Sequence, residues 1–294
     1  MRRCVPLLPL LTLILCTPAC VTSTSLSLEP AAEHSVERTA VSAPKGWLLI
    51  VGGGGTTDDM YARAIALGGG SGSKVVIFPQ ASELPDTGES AAAVWRENGA
   101  GEVHVADTKD EAAALALVES ATIIWFPGGV QARLMGALGE QLPEAIKKRY
   151  YAGALVGGTS AGAAVMSGVM ITGEVEGEND DGGLTFVRAG TVETARGLGL
   201  VDWAIVDQHF VRRRRFNRLL SSVLDHPDLV GVGIDERTAI LVHGSAFEVI
   251  GESNVLVIDA RETRDVQVKK GLRSSGTGLR LSLLAHGMRF DSAD

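Results

Sequence analysis

From Gly46 onward, short apolar runs alternate with stretches in which apolar side chains recur at helical spacing. Residues 47–51, 74–78, 102–105, 122–126 and 154–156 read as strands, and most are continuously apolar, as strands covered on both faces must be. Between them, 59–67, 89–97, 110–119 and 131–138 read as helices. This alternation predicts a doubly wound α/β domain. After Leu184 the apolar runs crowd together, at 204–206, 230–233, 239–242, 246–250 and 254–258, which predicts a smaller, partly antiparallel extension of the same sheet. No internal repeat or linker marks a second domain, and 294 residues suffice for one large core.

The N-terminus breaks the pattern. Arg2 and Arg3 precede a short apolar stretch at 6–15 and then small residues, so residues 1–20 read as a secretory leader. The stretch falls short of the roughly 20 residues a membrane span needs. The following 21–45, rich in Ser, Thr, Ala and Glu, read as a flexible tether, with the folded domain at 46–294. All three cysteines lie in or beside the leader, at 4, 16 and 20. That excludes a disulfide framework, a thiol nucleophile and a Cys-ligated zinc site from the body. Thr17-Pro18-Ala19-Cys20 is an imperfect lipoprotein cleavage site, so a lipid on Cys20 and simple cleavage with release both remain open. The expected location is outside the cytoplasm: periplasmic, outer-membrane or secreted. A net charge of −8 argues against nucleic acid as the main partner.

In open α/β sheets, ligands bind beyond the carboxyl ends of the strands, which directs attention to the turns at 52–55, 127–129, 157–162 and 207–209. The four glycines at 52–55 suggest a nucleotide loop, but a dinucleotide fingerprint needs glycine where Thr57 stands, and no Gly-Lys-Ser/Thr follows. A tight turn approaching an active site is the better reading. Gly158-Thr159-Ser160-Ala161-Gly162 fits G-x-S-x-G between an expected strand and a small-residue helix at 161–167, the context in which a sharp turn exposes a serine oxygen. An ordinary serine N-cap fits the same spacing. A nucleophilic serine needs a base, and of six histidines His209 stands at the carboxyl end of an expected strand.

The residues around these two positions carry a resemblance. Gly-Thr-Ser160-Ala-Gly-Ala, then Asp207-Gln208-His209-Phe210 followed by Arg213, Arg215, Arg218 and Leu219, resembles the paired signatures of the cyanophycinases, which share a serine peptidase family with aspartyl dipeptidase (peptidase E). Phe126-Pro127-Gly128-Gly129-Val130-Gln131 resembles their Gly-Gly-Asp-Gln turn, with Val130 in place of the usual Asp. The similarity runs from about residue 46 to 259.

The resemblance implies a three-layer αβα sandwich with a mostly parallel sheet, of the flavodoxin-like, class I glutamine amidotransferase-like kind, with an antiparallel C-terminal extension. It implies Ser160 as nucleophile, His209 as general base, and the N–H groups of Gly129 and Ala161 as the oxyanion hole. Counted from the serine, the family's Gly-Glu pair falls on Gly177-Glu178, so Glu178 is expected to orient the histidine, with Glu174 and Glu176 close by. Gln131, Asp207, Gln208, Arg213, Arg215 and Arg218 are implied for the substrate pocket. The substrate would be cyanophycin, an aspartate backbone with arginine on each side chain, cut to β-aspartyl-arginine dipeptides. Guanidinium groups bind carboxylates bidentately, so the arginines are expected to hold the aspartyl part, while Asp207 and acids near Glu178 receive the substrate's arginine.

No cofactor or metal is expected, and a homodimer is left open. Three other readings stand: a peptidase of aspartyl or isoaspartyl dipeptides, which Val130 leaves open; an α/β-hydrolase esterase, with His243 or His286 as base; and a non-catalytic binding protein that keeps the pocket.

Overall fold

The computed structural model describes residues 43–175 and 184–294. The expected leader, most of the tether, Glu176 and Glu178 lie outside the described residues.

The five apolar runs of the first half form a parallel core: β1 (Leu48–Val51), β2 (Lys74–Ile77), β3 (Glu102–Val105), β4 (Ile123–Phe126) and β5 (Leu155–Thr159), in spatial order β3-β2-β4-β5-β1. The helices between them are α1 (Asp58–Leu67), α2 (Thr87–Glu97), α3 (Glu111–Ser120), α4 (Gln131–Leu138) and α5 (Gln141–Tyr151). After β5 comes α6 (Ala161–Ala164), shorter than the sequence pattern suggests. Because successive strand side chains point to opposite faces, each continuous apolar run feeds two cores. Leu48, Ile50, Ile124 and Phe126 pack with α3, α4 and α5 on one face; Leu49, Val51, Ile123 and Trp125 pack with α1 and α2 on the other. On the second face Trp95 of α2 and Trp125 of β4 meet edge to face at 5.3 Å, both buried. Burial of a large side chain of this kind stabilises by about 1.5–3 kcal/mol.

The second half departs from a simple sheet extension. β6 (Val169–Val175) and β7 (Val192–Arg196) form a separate two-stranded ribbon. Then β8 (Ala204–Gln208), α7 (Phe216–Asp225), β9 (Val230–Ile234), β10 (Thr238–His243), β11 (Ala246–Gly251), β12 (Val255–Asp259), β13 (Arg264–Gln267), β14 (Ser275–Thr277), β15 (Arg280–Leu284) and β16 (Arg289–Asp291) follow. Among the described residues, β10, β11 and β16 extend the main sheet, antiparallel, beyond β1. β8, β9, β12 and β15 form a second four-stranded sheet, in which β8 and β9 are parallel. Ala204, Val206, Val230 and Val232 face the core shared with the main sheet, while Ile205 faces Leu219 and Val223 of α7. Two sheets form because these strands are apolar on both faces: one face packs against the first core and the other is covered by α7. The carboxyl ends of β1, β4, β5, β8 and β9 all feed the turns that carry the residues described next.

Candidate active site

Ser160 occupies the single residue between β5 and α6, with φ 55° and ψ −111°. Such a conformation is costly for a residue with a Cβ, about 1–3 kcal/mol, and survives only where its surroundings dictate it. Here they do. The Ser160 N–H donates to the Val51 carbonyl at 3.1 Å, and its own carbonyl accepts from the N–H groups of Ala163 and Ala164 at 2.9 and 3.0 Å. The glycines of the motif allow the turn to be this sharp, because a methyl on Gly162 would stand 2.1 Å from the Phe126 carbonyl oxygen. The turn leaves the half-buried Ser160 with its hydroxyl directed at an imidazole.

That imidazole is His209, one residue beyond β8 and also left-handed, at φ 50°. Its N–H donates to the Gly52 carbonyl at 2.7 Å, joining the second sheet to the turn after β1. Nε2 stands 2.9 Å from Ser160 Oγ, and Nδ1 stands 2.7 Å from Glu236 Oε1. A carboxylate only accepts, so the proton between Nδ1 and Glu236 belongs to the ring, and Nε2 is left with a lone pair facing the serine hydroxyl. Burial holds the imidazole below its ordinary pKa; the hydrogen bond to Glu236 opposes this, and the charges of Arg213 and Arg215 add to the lowering. The net lowering favours the neutral ring, the form that can accept a proton.

Glu236 lies in the turn between β9 and β10, half-exposed, and sequence reasoning missed it. The resemblance put Glu178 on the histidine; in the structure Nδ1 is taken by Glu236, Glu174 lies in β6, and Glu176 and Glu178 fall outside the described residues. No local sequence signal marks it; strand pairing does. β8 and β9 pair in parallel, Gln208 opposite Ile234, so the residues just past the two strands are neighbours, and Asp235-Glu236 stand beside His209.

The arginine motif divides. Arg218 Nε and Nη2 bond both oxygens of Asp207, at 3.0 and 2.5 Å, and both side chains are about 1% exposed. Arg215 donates to the Gln208 carbonyl at 2.7 Å and to the Gln208 side-chain oxygen, and lies 3.6 Å from Asp207. Asp207, Gln208, Arg215 and Arg218 thus form one buried cluster fastening α7 to β8. Asp207, which was expected to receive a substrate's guanidinium, is paired with Arg218, as a buried carboxylate needs a cation beside it. Arg213 differs: it is exposed, beside His209, and has no ion-pair partner among the described residues.

The turn after β4 stands over the serine. A methyl on Gly128 would lie 3.4 Å from Ser160 Cβ, and the Val130 N–H donates to the Ala81 carbonyl at 2.9 Å, which fixes the peptide that follows Gly129. Among the described residues the N–H groups of Gly129 and Ala161 donate to no backbone acceptor. Gln131 is buried at the start of α4, its amide donating to the Ile171 carbonyl at 3.0 Å, while Val130 is half-exposed. The glycine turn at 52–55 lies against the site: a methyl on Gly53 would meet the His209 ring. Among the described residues no group of three or more His, Cys, Asp or Glu could hold a metal ion, and no helix is long and apolar enough to cross a membrane.

Known proteins share this stretch of chain. The model of peptidase family S51 matches residues 48–250. The chain is 36% identical over 255 residues to a cyanophycinase of Geminocystis herdmanii, covering 81% of this chain and 91% of that protein. It is 34% identical over 273 residues to a cyanophycinase of Trichormus variabilis, covering 87% and 89%. Among solved structures, a peptidase from an acI-B1 actinobacterium superposes with a TM-score of 0.58 at 21% identity, covering 85% of this chain and 98% of that one.

Proposed function

The chain belongs to peptidase family S51 and is a serine-type peptidase, and we propose that it hydrolyses cyanophycin, releasing β-aspartyl-arginine dipeptides, through Ser160, His209 and Glu236. The observation that carries this reading is the continuous Oγ–Nε2 and Nδ1–Oε1 pair of contacts, at 2.9 and 2.7 Å. The cyanophycinase relatives support the choice of substrate.

In the acylation step Ser160 Oγ forms a bond to the scissile carbonyl carbon while its proton passes to His209 Nε2. The carbonyl oxygen becomes an oxyanion, which accepts from the N–H groups of Gly129 and Ala161; a donor of this kind is worth about 3 kcal/mol. The C–N bond then breaks, and the leaving amine departs with the proton from Nε2. A water molecule, deprotonated by the same nitrogen, bonds the acyl carbon; the C–Oγ bond breaks, Oγ takes back the proton from Nε2, and the acid is freed. Glu236 keeps the proton of the neutral ring on Nδ1 and stabilises the imidazolium that forms in each half-reaction. Arg213, exposed beside the base, is the side chain of the motif best placed to bind a substrate carboxylate.

Incubating the purified protein with insoluble cyanophycin and identifying products by mass spectrometry tests this. We expect dipeptide from the wild type and none from Ser160→Ala or His209→Ala. Full activity in His209→Ala would overturn the triad. An untouched polymer alongside cleaved aspartyl dipeptides would overturn the substrate and leave the chemistry standing.

We also propose export, from the basic and apolar pattern of residues 1–20. An exported enzyme would act on polymer released by other cells. The intact mass of the mature protein, with its N-terminus at or after Cys20 and with or without lipid, tests this. A full-length cytoplasmic product would overturn it.

A further inference from the structure

Next to the orienting acid is a second carboxylate that touches neither His209 nor Ser160. Asp235 is 8% exposed, and every oxygen of its side chain is in use. Oδ1 accepts from the N–H groups of Val211 and Arg212, at 3.1 and 2.9 Å, and Oδ2 accepts from the Ser253 hydroxyl at 2.7 Å. From Ser253 the chain of bonds continues: its N–H donates to Thr238 Oγ1 at 2.8 Å, and the Thr238 hydroxyl donates to the Glu236 carbonyl at 3.1 Å.

We propose that Asp235 is a positioning residue of this site: its carboxylate clamps the turn after His209 to the turn that carries Glu236, so that base and orienting acid are held as one unit. This rests on the assignment of Ser160, His209 and Glu236 made above. The turn it holds is strained at both ends. His209 and Arg214 both have left-handed φ values, 50° and 52°, and the reverse turn between them is closed by the bonds from Arg213 N–H to the His209 carbonyl and from Arg215 N–H to the Phe210 carbonyl, each 2.9 Å. The amides of Val211 and Arg212 lie inside that turn. Fixing them fixes the His209 backbone and, one residue on, where the Arg213 guanidinium stands relative to the ring.

Among the described residues, the groups facing His209 are Ser160 from the β5–α6 turn, Glu236 from the β9–β10 turn, and Arg213 and Arg215 from the turn it begins; the turn after β1 brings only glycine. Arg213 and Arg215 oppose protonation of the ring and Glu236 favours it. Releasing the turn lets exposed Arg213 move away, while buried Arg215 stays on Gln208.

The test compares Asp235→Ala, Asp235→Asn, Arg213→Ala and the Asp235→Ala/Arg213→Ala pair by NMR titration of the His209 imidazole and by kcat on cyanophycin. In Asp235→Ala we expect kcat to fall between about tenfold and about a hundredfold, the usual result of misplacing a reacting group by an ångström. The imidazole titration is expected to move upward, as in Arg213→Ala, with no further rise in the double variant. Asp235→Asn, which keeps an oxygen for both amides, is expected to recover most of the loss. An unmoved titration in Asp235→Ala, or an additive shift in the double variant, overturns the proposal. Should Asp235→Ala fail to fold, Ser253→Ala removes one of the three bonds and is expected to give a smaller shift of the same sign; no shift there overturns the proposal as well. Because the titration does not depend on turnover, full activity in His209→Ala would overturn the triad separately.

Discussion

The imidazole of His209 lies against the backbone of Gly53 so closely that a methyl group on that glycine would stand 2.2 Å from Cε1 and 2.5 Å from Nε2. The imidazole thus leaves no room for a side chain on Gly53, which itself has φ +102°, a value that residues with a Cβ avoid.

Gly53→Ala is therefore expected to displace the ring from Ser160 and lower kcat by about a hundredfold, since proton transfer from Oγ needs Nε2 at hydrogen-bond distance. Gly72→Ala, where an added methyl meets nothing within 4 Å, is the comparison. Steady-state kinetics alongside circular dichroism distinguishes loss of activity from loss of fold; equal kinetics in the two variants would contradict the close packing described.

Glu236→Gln keeps the size of the side chain but removes the charge and lets Nδ1 lose its proton to the wrong tautomer. We expect kcat to drop by about 10⁴, as for the equivalent change in other serine triads, with Ser160 correspondingly slow to react with a fluorophosphonate. Glu178→Gln supplies the contrast: a larger loss there than at Glu236 would return the orienting role to the position expected from the sequence.

The pH profile gives a third test. The Arg213 charge disfavours the imidazolium, so removing it favours protonation and raises the pKa of His209. Since the base works only when neutral, the acid limb of kcat/KM in Arg213→Ala is expected to move to higher pH. The shift should be modest, because an exposed guanidinium is screened by solvent and salt. A limb moving to lower pH would contradict the assignment of His209 as the titrating base.

Asp207→Asn breaks the buried bidentate pair with Arg218, and breaking a pair of this kind typically destabilises by about 3–5 kcal/mol. Urea unfolding is expected to show this loss. Wild-type stability with a raised KM would instead restore Asp207 to the substrate pocket.

Several elements were legible from local pattern alone. Buried strands read as apolar runs because both faces of the main sheet are covered, and 47–51, 74–78 and 122–126 became β1, β2 and β4 almost residue for residue. The G-x-S-x-G turn and a histidine at a strand's end are local features too: small residues permit the sharp bend, and the end of an apolar run marks where the chain leaves the sheet. The arginine spacing after His209 was equally visible, but its meaning was not. Which arginines are buried depends on α7 lying on β8, a packing that no spacing records.

The sequence by itself therefore determined the α/β class and the places of Ser160 and His209 at the ends of their strands. Tertiary structure alone decided the rest: that the later strands divide between two sheets, that Asp207 belongs to Arg218, and that Glu236, 27 residues beyond His209, is its carboxylate partner. The physical reason is the same in each case. A strand's face or a turn's sharpness is set by the residues within it, whereas a hydrogen-bond partner is set by which strand ends lie side by side, and the parallel pairing of β8 with β9 brings Glu236 to the imidazole.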